Sequence, residues 1–304
     1  MGEAAALTMA VSWAATGAAV TSLSARLPTM ALTGLEISFA TVAILGALIV
    51  SGQAGDIAGA SAITLLAVVG SGVIDFAVAE PVYIRALRVA GMQRTYGVTT
   101  GLFILLTTVG GVVILGERFT LGLPIGGALI VGGTYLIVSR WQVSASSERA
   151  PGDPVAVTAP TRTLEGYALL VAAPILWTTA TLWLAGAGSD LGTIPSAALR
   201  ITTGTVLLMA LLLTVRRKDL RFAVSRRRDV ITITIASLAG ISVANLLYVY
   251  ALIEAGAART AVLAASAPLF AIPFAIVFLR EPLTRRVVLG TTLSVSGIII
   301  VVSF

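Results

Sequence analysis

The chain contains no cysteine and no histidine among its 304 residues. Disulfides, thiolate or imidazole metal ligands, cysteine nucleophiles and histidine general bases are therefore excluded. Charge is also scarce, because Asp, Glu, Lys and Arg make up 11% of the residues, about half of what a soluble domain carries. The acids are scattered over separate apolar segments, without the helical spacing that assembles an acid/base or metal set. We therefore expect neither a soluble nor a membrane enzyme, and no cofactor.

Apolar residues dominate what remains. They form 57% of the chain, and the mean hydropathy is +1.00. A membrane-spanning helix needs about 20 mostly apolar residues, and ten runs qualify. The pattern predicts an all-α membrane protein with ten transmembrane helices, in which 82–94 forms a loop-like, Arg-bearing start to the fourth span. The runs lie near 4–24, 30–51, 58–80, 82–115, 120–139, 165–187, 194–215, 229–252, 260–279 and 286–304.

The basic residues are interpreted as signals of membrane orientation. With ten spans, all of them except Arg118, Arg200 and Arg259 fall on one side, which predicts that both termini lie outside the cell. The first apolar run is expected to be retained, because no basic residue precedes Arg26. The basic run 216–228 is either a topology determinant or a contact for anionic lipid. Membrane lipids are therefore expected partners, and nucleic acid is not.

An internal repeat divides the chain into two halves. The residues Tyr83, Ala86, Leu87, Ala90, Gly91, Arg94 and Thr95 recur with identical spacing as Tyr248, Ala251, Leu252, Ala255, Gly256, Arg259 and Thr260. Trp13 aligns with Trp177, and Glu36 aligns with Arg200. This predicts a five-helix repeat at 1–139, a Ser-, Ala- and Pro-rich linker at 140–164 and a second repeat at 165–304.

An odd number of helices in each repeat has a mechanical consequence. Two such repeats in tandem enter the membrane from opposite sides and are inverted copies, as in secondary transporters that expose a midplane site to each side in turn. Glycines at small-xxx-small spacing, such as Gly122 and Gly126, predict close helix contacts. Glu117 and Glu281 follow span ends, and we expect each to cap the next helix.

These motifs resemble the drug/metabolite transporter superfamily, EamA type. The resemblance covers nearly the whole chain and implies a ten-helix, multi-pass carrier of the inner membrane with a central cavity, which moves small metabolites, often outward. It also implies termini inside the cell, against the charge pattern, and both orientations stay open. The resembling features are Trp13 and Trp177, Tyr83 with Ala86-Leu87, Tyr248 with Ala251-Leu252, Gly116-Glu117 and Arg280-Glu281.

Ionisable residues within apolar spans are costly, so each is a candidate functional residue. Glu36 is the candidate for proton coupling, with a structural pairing to Arg200 as the alternative. Asp75, behind the small residues Gly70-Ser71-Gly72, and Glu80, near a span end, are candidate substrate contacts.

Four aromatic residues and one amide complete the candidate substrate site. Trp13 and Trp177 are predicted to form two walls that stack planar or cationic groups. Tyr83 and Tyr248 offer hydroxyl groups, and Asn245 offers a neutral donor and acceptor suited to a zwitterion.

The sequence thus favours a secondary transporter that exports small metabolites, amino acids first, by alternating access at a central cavity. Three alternatives remain: a multidrug or organic-cation exporter, a channel, and a non-transporting scaffold. The expected partners are a small-molecule substrate and membrane lipids, and the expected state is a monomer, with a dimer left open.

Overall fold

The computed structural model describes residues 1–24, 26–90, 92–147, 164–279 and 285–303. Within these ranges, side chains are described except at 17–22, 24, 87, 88, 92–94, 96, 97, 138–147 and 274–279. All regular structure in the described residues is helical. The predicted linker falls largely outside them, as does Glu281.

Ten spans form the described fold, five in each half. The first half contains α1 (Gly2–Ser24), α2 (Thr29–Ser51), α3 (Ala62–Gly72, a π-helical turn Val73–Ala79, and Glu80–Ala90), α4 (Met92–Ile114) and α5 (Gly122–Ser147). The second half contains α6 (Leu164–Leu191), α7 (Thr193–Thr214), α8 (Arg227–Ala236, a π-helical turn Ser237–Ile241, and Ser242–Ala255), α9 (Ala257–Ala264 and Ala267–Leu279) and α10 (Arg285–Ser303). Short helices Ala54–Gly59 and Arg217–Ala223 connect α2 to α3 and α7 to α8.

The lengths of these helices fit a bilayer. Six described helices are long and apolar enough to cross it: α2, α3, α6, α7, α8 and α10. Shorter apolar stretches occur in α4, α5 and α9, and α1 has 23 residues, or about 34 Å at 1.5 Å per residue. Large apolar side chains such as Val42, Ile49 and Val206 are exposed, as expected for surfaces that face lipid tails. The protein is an all-α, multi-pass membrane protein.

The prediction for residues 82–94 was wrong. Residues 80–90 are helical and continue α3, and α4 begins at Met92. Arginines in this stretch favoured a loop, but Arg85 pairs at the exposed end of α3 with Glu165 of α6, 2.5 Å away. A basic side chain at a helix end reaches the polar interface without leaving the helix, so the arginines do not interrupt α3.

Equivalent helices of the two repeats cross each other in opposite directions. In α5 and α10, Gly126 meets Gly297 and Gly133 meets Gly290, so residue numbers rise along one helix as they fall along the other. The crossing is close because glycine lacks a side chain: a Cβ at Gly297 would lie 2.6 Å from the Gly126 carbonyl oxygen, and one at Gly290 would lie 2.6 Å from the Gly133 oxygen.

The equivalent helices α2 and α7 also cross in opposite directions. Gly34 of α2 meets Leu212 of α7, and further along the crossing the hydroxyls of Thr41 and Thr205, which are repeat equivalents, are hydrogen bonded at 2.8 Å. The first helix of each repeat also packs on the other repeat: α1 packs on α8 and α9, and α6 packs on α3 and α4. The two five-helix repeats are therefore inverted copies related by a pseudo-two-fold axis.

The largest buried apolar cluster lies where α2, α6, α7 and α8 meet. Leu32, Ile44, Leu184, Ile201 and Val249 are almost completely buried in it. Because this cluster draws on helices of both repeats, it fixes the relative position of the polar side chains between them.

Candidate functional site

Close contact between α3 and α7 creates the centre of the site. A Cβ at Gly72 would lie 3.0 Å from the carbonyl carbon and from the Cα of Arg200, so only glycine lets the two backbones approach this closely. Gly204, one turn beyond Arg200, similarly accommodates the ring of Phe76, whose Cβ would be 2.7 Å from a Cβ placed there. The two glycines bring the residues after Gly72 against the Arg200 side chain.

The result is an ion pair between the repeats, in which the arginine is buried and the aspartate is partly exposed. The Arg200 guanidinium donates to the Asp75 carboxylate, and the Arg200 side chain is 6% exposed. Arg200 also donates from Nη1 to the Asn245 side-chain oxygen, 3.4 Å away. The rings of Phe76 and Tyr248 lie 4.9 Å and 5.3 Å from the guanidinium carbon, within cation–π range. Four residues from α3 and α8 thus surround one cation from α7.

Two further carboxylates extend this pair towards α2. Glu80 of α3 interacts electrostatically with Asp75, and Glu36 of α2 interacts with Glu80. Glu36 Oε1 is buried and accepts no hydrogen bond from the described residues. Three acids therefore share the interior with the single guanidinium of Arg200, which leaves the described cluster with more acidic than basic groups.

The π-helical turn of α3 helps to direct these acids. It covers Val73–Ala79, so Asp75 lies within the turn and Glu80 directly follows it. A second π-helical turn, Ser237–Ile241, occupies the equivalent part of α8 and precedes Asn245. Such turns add a residue to the helix and change the direction of the side chains around them, and they are frequent at functional sites.

One aromatic pair lies beside the ion pair, and its repeat equivalent lies near Glu80. Trp13 of α1 lies against Tyr248 of α8, with ring centroids 6.1 Å apart. Its repeat equivalent, Trp177 of α6, lies against Tyr83 of α3 at 4.8 Å. Each pair therefore joins the first helix of one repeat to the third helix of the other.

Hydrogen bonding fixes one of these rings. The Tyr248 hydroxyl is hydrogen bonded to Thr181 of α6 at 2.8 Å, and Thr181 in turn donates to the backbone oxygen of Trp177 at 2.7 Å. The Tyr248 ring is thereby held beside Arg200, while Tyr83 lies within electrostatic range of Glu80. The two aromatic pairs are therefore connected through α6.

The structure joins all eight sequence-predicted positions in one network of neighbouring side chains. It runs from Trp13 through Tyr248, Arg200 and Asp75 to Glu80, which is near Glu36 and Tyr83. Asn245 joins at Arg200 and Trp177 joins at Tyr83. The roles assigned to these residues stay predictions, but their proximity is a property of the structure.

Arg200 is the central residue that the sequence analysis did not assign to the site. Its signal was present, because Arg200 lies about two turns inside an apolar span, where a charge is costly. Repeat alignment suggested Glu36 as its partner, whereas the ion pair in the structure is formed with Asp75. The partner depends on the Gly72 contact, which brings α3 rather than α2 against Arg200.

Polar contacts also connect the repeats at both ends of the bundle. At the end that holds Met1, Glu117 accepts hydrogen bonds from the backbone nitrogens of Ala257 and Ala258, at 2.5 Å and 3.0 Å, and Glu3 pairs with Arg259 at 2.7 Å. Glu117 was expected to cap the helix that follows it, and this was wrong: it caps α9, because the turn after α4 lies against the break between α8 and α9 at Gly256.

The opposite end of the bundle, which carries Arg26, Arg85 and the run 216–228, is called the basic face below. It has its own inter-repeat ion pairs, Arg85–Glu165 at 2.5 Å and Arg26–Asp229 at 3.7 Å. Among the described residues, no group of three or more acids is placed to hold a metal ion.

Comparison with known proteins agrees with this architecture. The profile of the EamA-like transporter family matches residues 1–139 and 164–303, which together form most of the chain. No curated protein matches this chain. A solved crystal structure with 16% sequence identity has the same fold, with a TM-score of 0.73 over 99% of this chain and 96% of that chain. The protein is a member of the EamA-like transporter family.

Proposed function

We propose that the protein is a secondary transporter that exports small metabolites bearing an ammonium group, amino acids or related compounds first, by alternating access across the inner membrane. The observation that carries the proposal is the pairing of the buried Arg200 with Asp75 at the α3–α7 crossing, between two inverted repeats. A charged pair is costly inside an apolar bundle, and transporters place their substrate sites at repeat interfaces. Export is favoured by the resemblance to drug/metabolite transporters.

The cluster offers complementary groups for both ends of an amino acid. Arg200 and Asn245 supply N–H donors for a carboxylate, and Arg-carboxylate contacts are among the stronger hydrogen bonds in proteins. Glu80 and Asp75 supply acceptors for an ammonium group. A substrate carboxylate that binds Arg200 competes with Asp75 for the same guanidinium, and the released Asp75 is then available to the ammonium group.

Proton coupling is assigned to Glu36. Its Oε1 is buried without a hydrogen bond from the described residues, and it interacts electrostatically with the like-charged Glu80. A proton on one of these two carboxyls relieves their repulsion, and an incoming ammonium group does the same. The cluster therefore favours exchange of a cationic group for a proton.

Transport of organic cations is the second candidate. It is favoured by the acid excess around Arg200 and by the two Trp–Tyr pairs, since aromatic faces and carboxylates together recognise cations that lack a carboxylate. The two candidates differ in one respect: only amino acids use the N–H donors of Arg200.

Counterflow in proteoliposomes tests the proposal. Vesicles that hold the purified protein and an excess of unlabelled lysine or phenylalanine take up the labelled compound, and cadaverine and phenethylamine serve as the matched amines without a carboxylate. Saturable exchange of the amino acids supports the proposal, and exchange of the amines alone supports the organic-cation candidate. Linear, non-saturable flux indicates a channel, and flux equal to that of empty liposomes for both classes overturns the transport proposal for these substrates.

A further inference from the structure

A cavity on the basic face lies away from the central site. It has a volume of about 230 Å³ and is lined by Arg26, Leu27, Phe222, Ser225, Arg226 and Asp229. Arg26 and Leu27 belong to the turn between α1 and α2. Phe222, Ser225 and Arg226 belong to the connection between α7 and α8, and Asp229 lies in the first turn of α8. The cavity is therefore shared by the two repeats.

The lining charges suit a phosphodiester. Arg26 and Arg226 place two guanidinium groups on the cavity, one from each repeat, and guanidinium groups bind phosphate oxygens through paired N–H donors. The α8 helix begins directly after Arg226, so its N-terminal dipole adds positive potential. Arg26 is about half-exposed, and the cavity is therefore accessible from the polar interface.

Asp229 and Ser225 narrow the choice of ligand. The Asp229 side chain is 9% exposed and lies 3.7 Å from Arg26, so a carboxylate stands beside the two guanidinium groups. This carboxylate repels an inorganic phosphate dianion but accepts hydrogen bonds from hydroxyl groups. Ser225 donates its own proton to the Phe222 oxygen at 2.7 Å, which directs the Ser225 oxygen to act as a second acceptor. The polar lining thus combines donors for a phosphodiester with acceptors for a polyol.

The apolar part of the cavity and its surroundings fit a lipid. Leu27 and Phe222 line it, and the Phe222 and Val224 side chains remain 53% and 45% exposed at the end of the short helix Arg217–Ala223. That connection also carries the basic run 216–228, in which basic residues far outnumber acidic ones. Exposed apolar residues beside basic residues are typical of segments that lie in the membrane interface and attract anionic lipids.

We propose that this cavity binds the headgroup of an anionic glycerophospholipid, of which phosphatidylglycerol is the simplest example. The phosphodiester contacts Arg26 and Arg226, and the glycerol hydroxyls donate to Asp229 and Ser225. The acyl chains lie along the exposed side chains of Phe222 and Val224. A lipid bound in this way bridges the α1–α2 turn and the α7–α8 connection, and so links the two repeats at the basic face.

Native mass spectrometry of the detergent-purified protein tests this site. Phosphatidylglycerol, phosphatidylethanolamine and phosphatidylcholine are titrated separately against the wild-type protein and two double variants. Arg26→Gln with Arg226→Gln removes the cavity guanidiniums, and Arg217→Gln with Arg221→Gln removes the same charge from exposed positions outside the cavity. We expect one phosphatidylglycerol to be retained, about tenfold weaker binding in the cavity variant, and at most a twofold change in the control.

Several results would overturn the proposal. Equal weakening in both double variants would mean diffuse attraction to the basic run. Equal retention of phosphatidylethanolamine or phosphatidylcholine would remove the requirement for an anionic headgroup. Binding of soluble glycerol phosphate or inorganic phosphate as strong as that of phosphatidylglycerol would identify a free-phosphate site. If the cavity variant does not fold, Arg226→Gln alone is tested, with Arg221→Gln as its control, and unchanged lipid binding there contradicts the proposal.

Discussion

The two repeats share their backbone plan but differ in the charges that they bring to the centre. Both have a Trp on the first helix, a π-helical turn and a Tyr on the third, and glycine contacts on the fifth. The first repeat supplies Glu36, Asp75 and Glu80 to the interior, where the aligned residues of the second are Arg200, Gly240 and Asn245.

This difference separates two requirements. In the proposed mechanism, exchange between two access states needs repeats that pack alike, and the paired glycines and aromatic residues occur in both halves. The proposed recognition of an asymmetric substrate needs unlike groups on opposite sides, and the first repeat is rich in acids where the second carries Arg200. We therefore expect substitutions of the central charges to have different effects on transport and stability in the two repeats. Substitutions at packing positions should have similar effects at equivalent positions of both repeats.

The largest effect is expected from Asp75→Asn. It leaves the buried Arg200 charge without its ion-pair partner, and breaking a buried pair in this way costs about 3–5 kcal/mol. We expect loss of counterflow and a lower unfolding temperature in detergent. Asp56→Asn, on the exposed short helix Ala54–Gly59, is the control and should change neither.

The double variant Asp75→Asn with Arg200→Gln completes this test. Because it removes both charges, we expect recovery of most of the stability but not of counterflow. A double variant that is as unstable as Asp75→Asn would contradict the assignment of Asp75 as the partner of Arg200.

Glu36→Gln tests the coupling that is assigned to the acid-rich repeat. The amide keeps the shape of the side chain but does not exchange a proton, so we expect counterflow to persist while its dependence on pH and on a proton gradient disappears. The measurement is the exchange rate between pH 5.5 and 8.5. Glu254→Gln, on an exposed part of α8, is the control. Unchanged pH dependence in Glu36→Gln removes this residue from coupling.

The packing symmetry is tested at the α5–α10 crossing. Gly133→Ala and its repeat equivalent Gly297→Ala insert a methyl group against the backbone of the opposite helix, which typically costs about 1–3 kcal/mol. Gly132→Ala is the matched control, because nothing lies within 4 Å of a Cβ at Gly132. We expect the first two variants to lower the unfolding temperature by similar amounts and the control to leave it unchanged. A large effect in one half only would show that the crossing is not symmetric.

A smaller effect is expected from the aromatic pairs. Trp177→Ala removes the closer pair, at 4.8 Å, and Trp13→Ala removes the wider one, at 6.1 Å. Aromatic contacts of this kind contribute about 0.5–1.5 kcal/mol, so we expect KM for exchange to rise by roughly two- to tenfold, more for Trp177 than for Trp13. Trp177→Phe should restore most of the affinity. A larger rise in KM for Trp13→Ala than for Trp177→Ala would contradict the expectation from the ring distances.

The smallest effect is expected from the Thr41–Thr205 hydrogen bond. Thr41→Val and Thr205→Val each break a bond whose net contribution is about 0.5–1.5 kcal/mol, and the double variant should cost less than the sum of the two. Unfolding temperatures of the three variants measure this coupling. Strict additivity would mean that the two hydroxyls do not stabilise the contact jointly.

Sequence alone predicted the architecture well because the bilayer restricts it. Long apolar runs have few alternatives to helices, and an odd repeat determines inversion. The error at 82–94 arose because Arg85 was taken as a loop residue, although a helix end at the interface accommodates it. The prediction for Glu117 failed because the cap depends on which turns meet in space, and residue spacing does not record this.

The site was predicted in part for a related reason. The cost of charge in a membrane identified Glu36, Asp75 and Glu80, and the repeat alignment identified the Trp and Tyr positions. The pairing of Asp75 with Arg200 depends on Gly72, which permits the backbone contact between α3 and α7. Similarly, the cavity on the basic face joins segments far apart in sequence, and only the packed repeats bring Arg26 and Arg226 together.

The most direct test of the account is whether the central site opens to each side in turn. The chain has no cysteine, so Phe76→Cys places a single thiol beside Arg200 and the wild-type protein serves as the unlabelled control. A membrane-impermeant thiol reagent is applied to oriented proteoliposomes from the outside or the inside, with and without saturating substrate. The account predicts labelling from both sides, with substrate changing both rates. Labelling from one side only, at a rate independent of substrate, would contradict alternating access at this site.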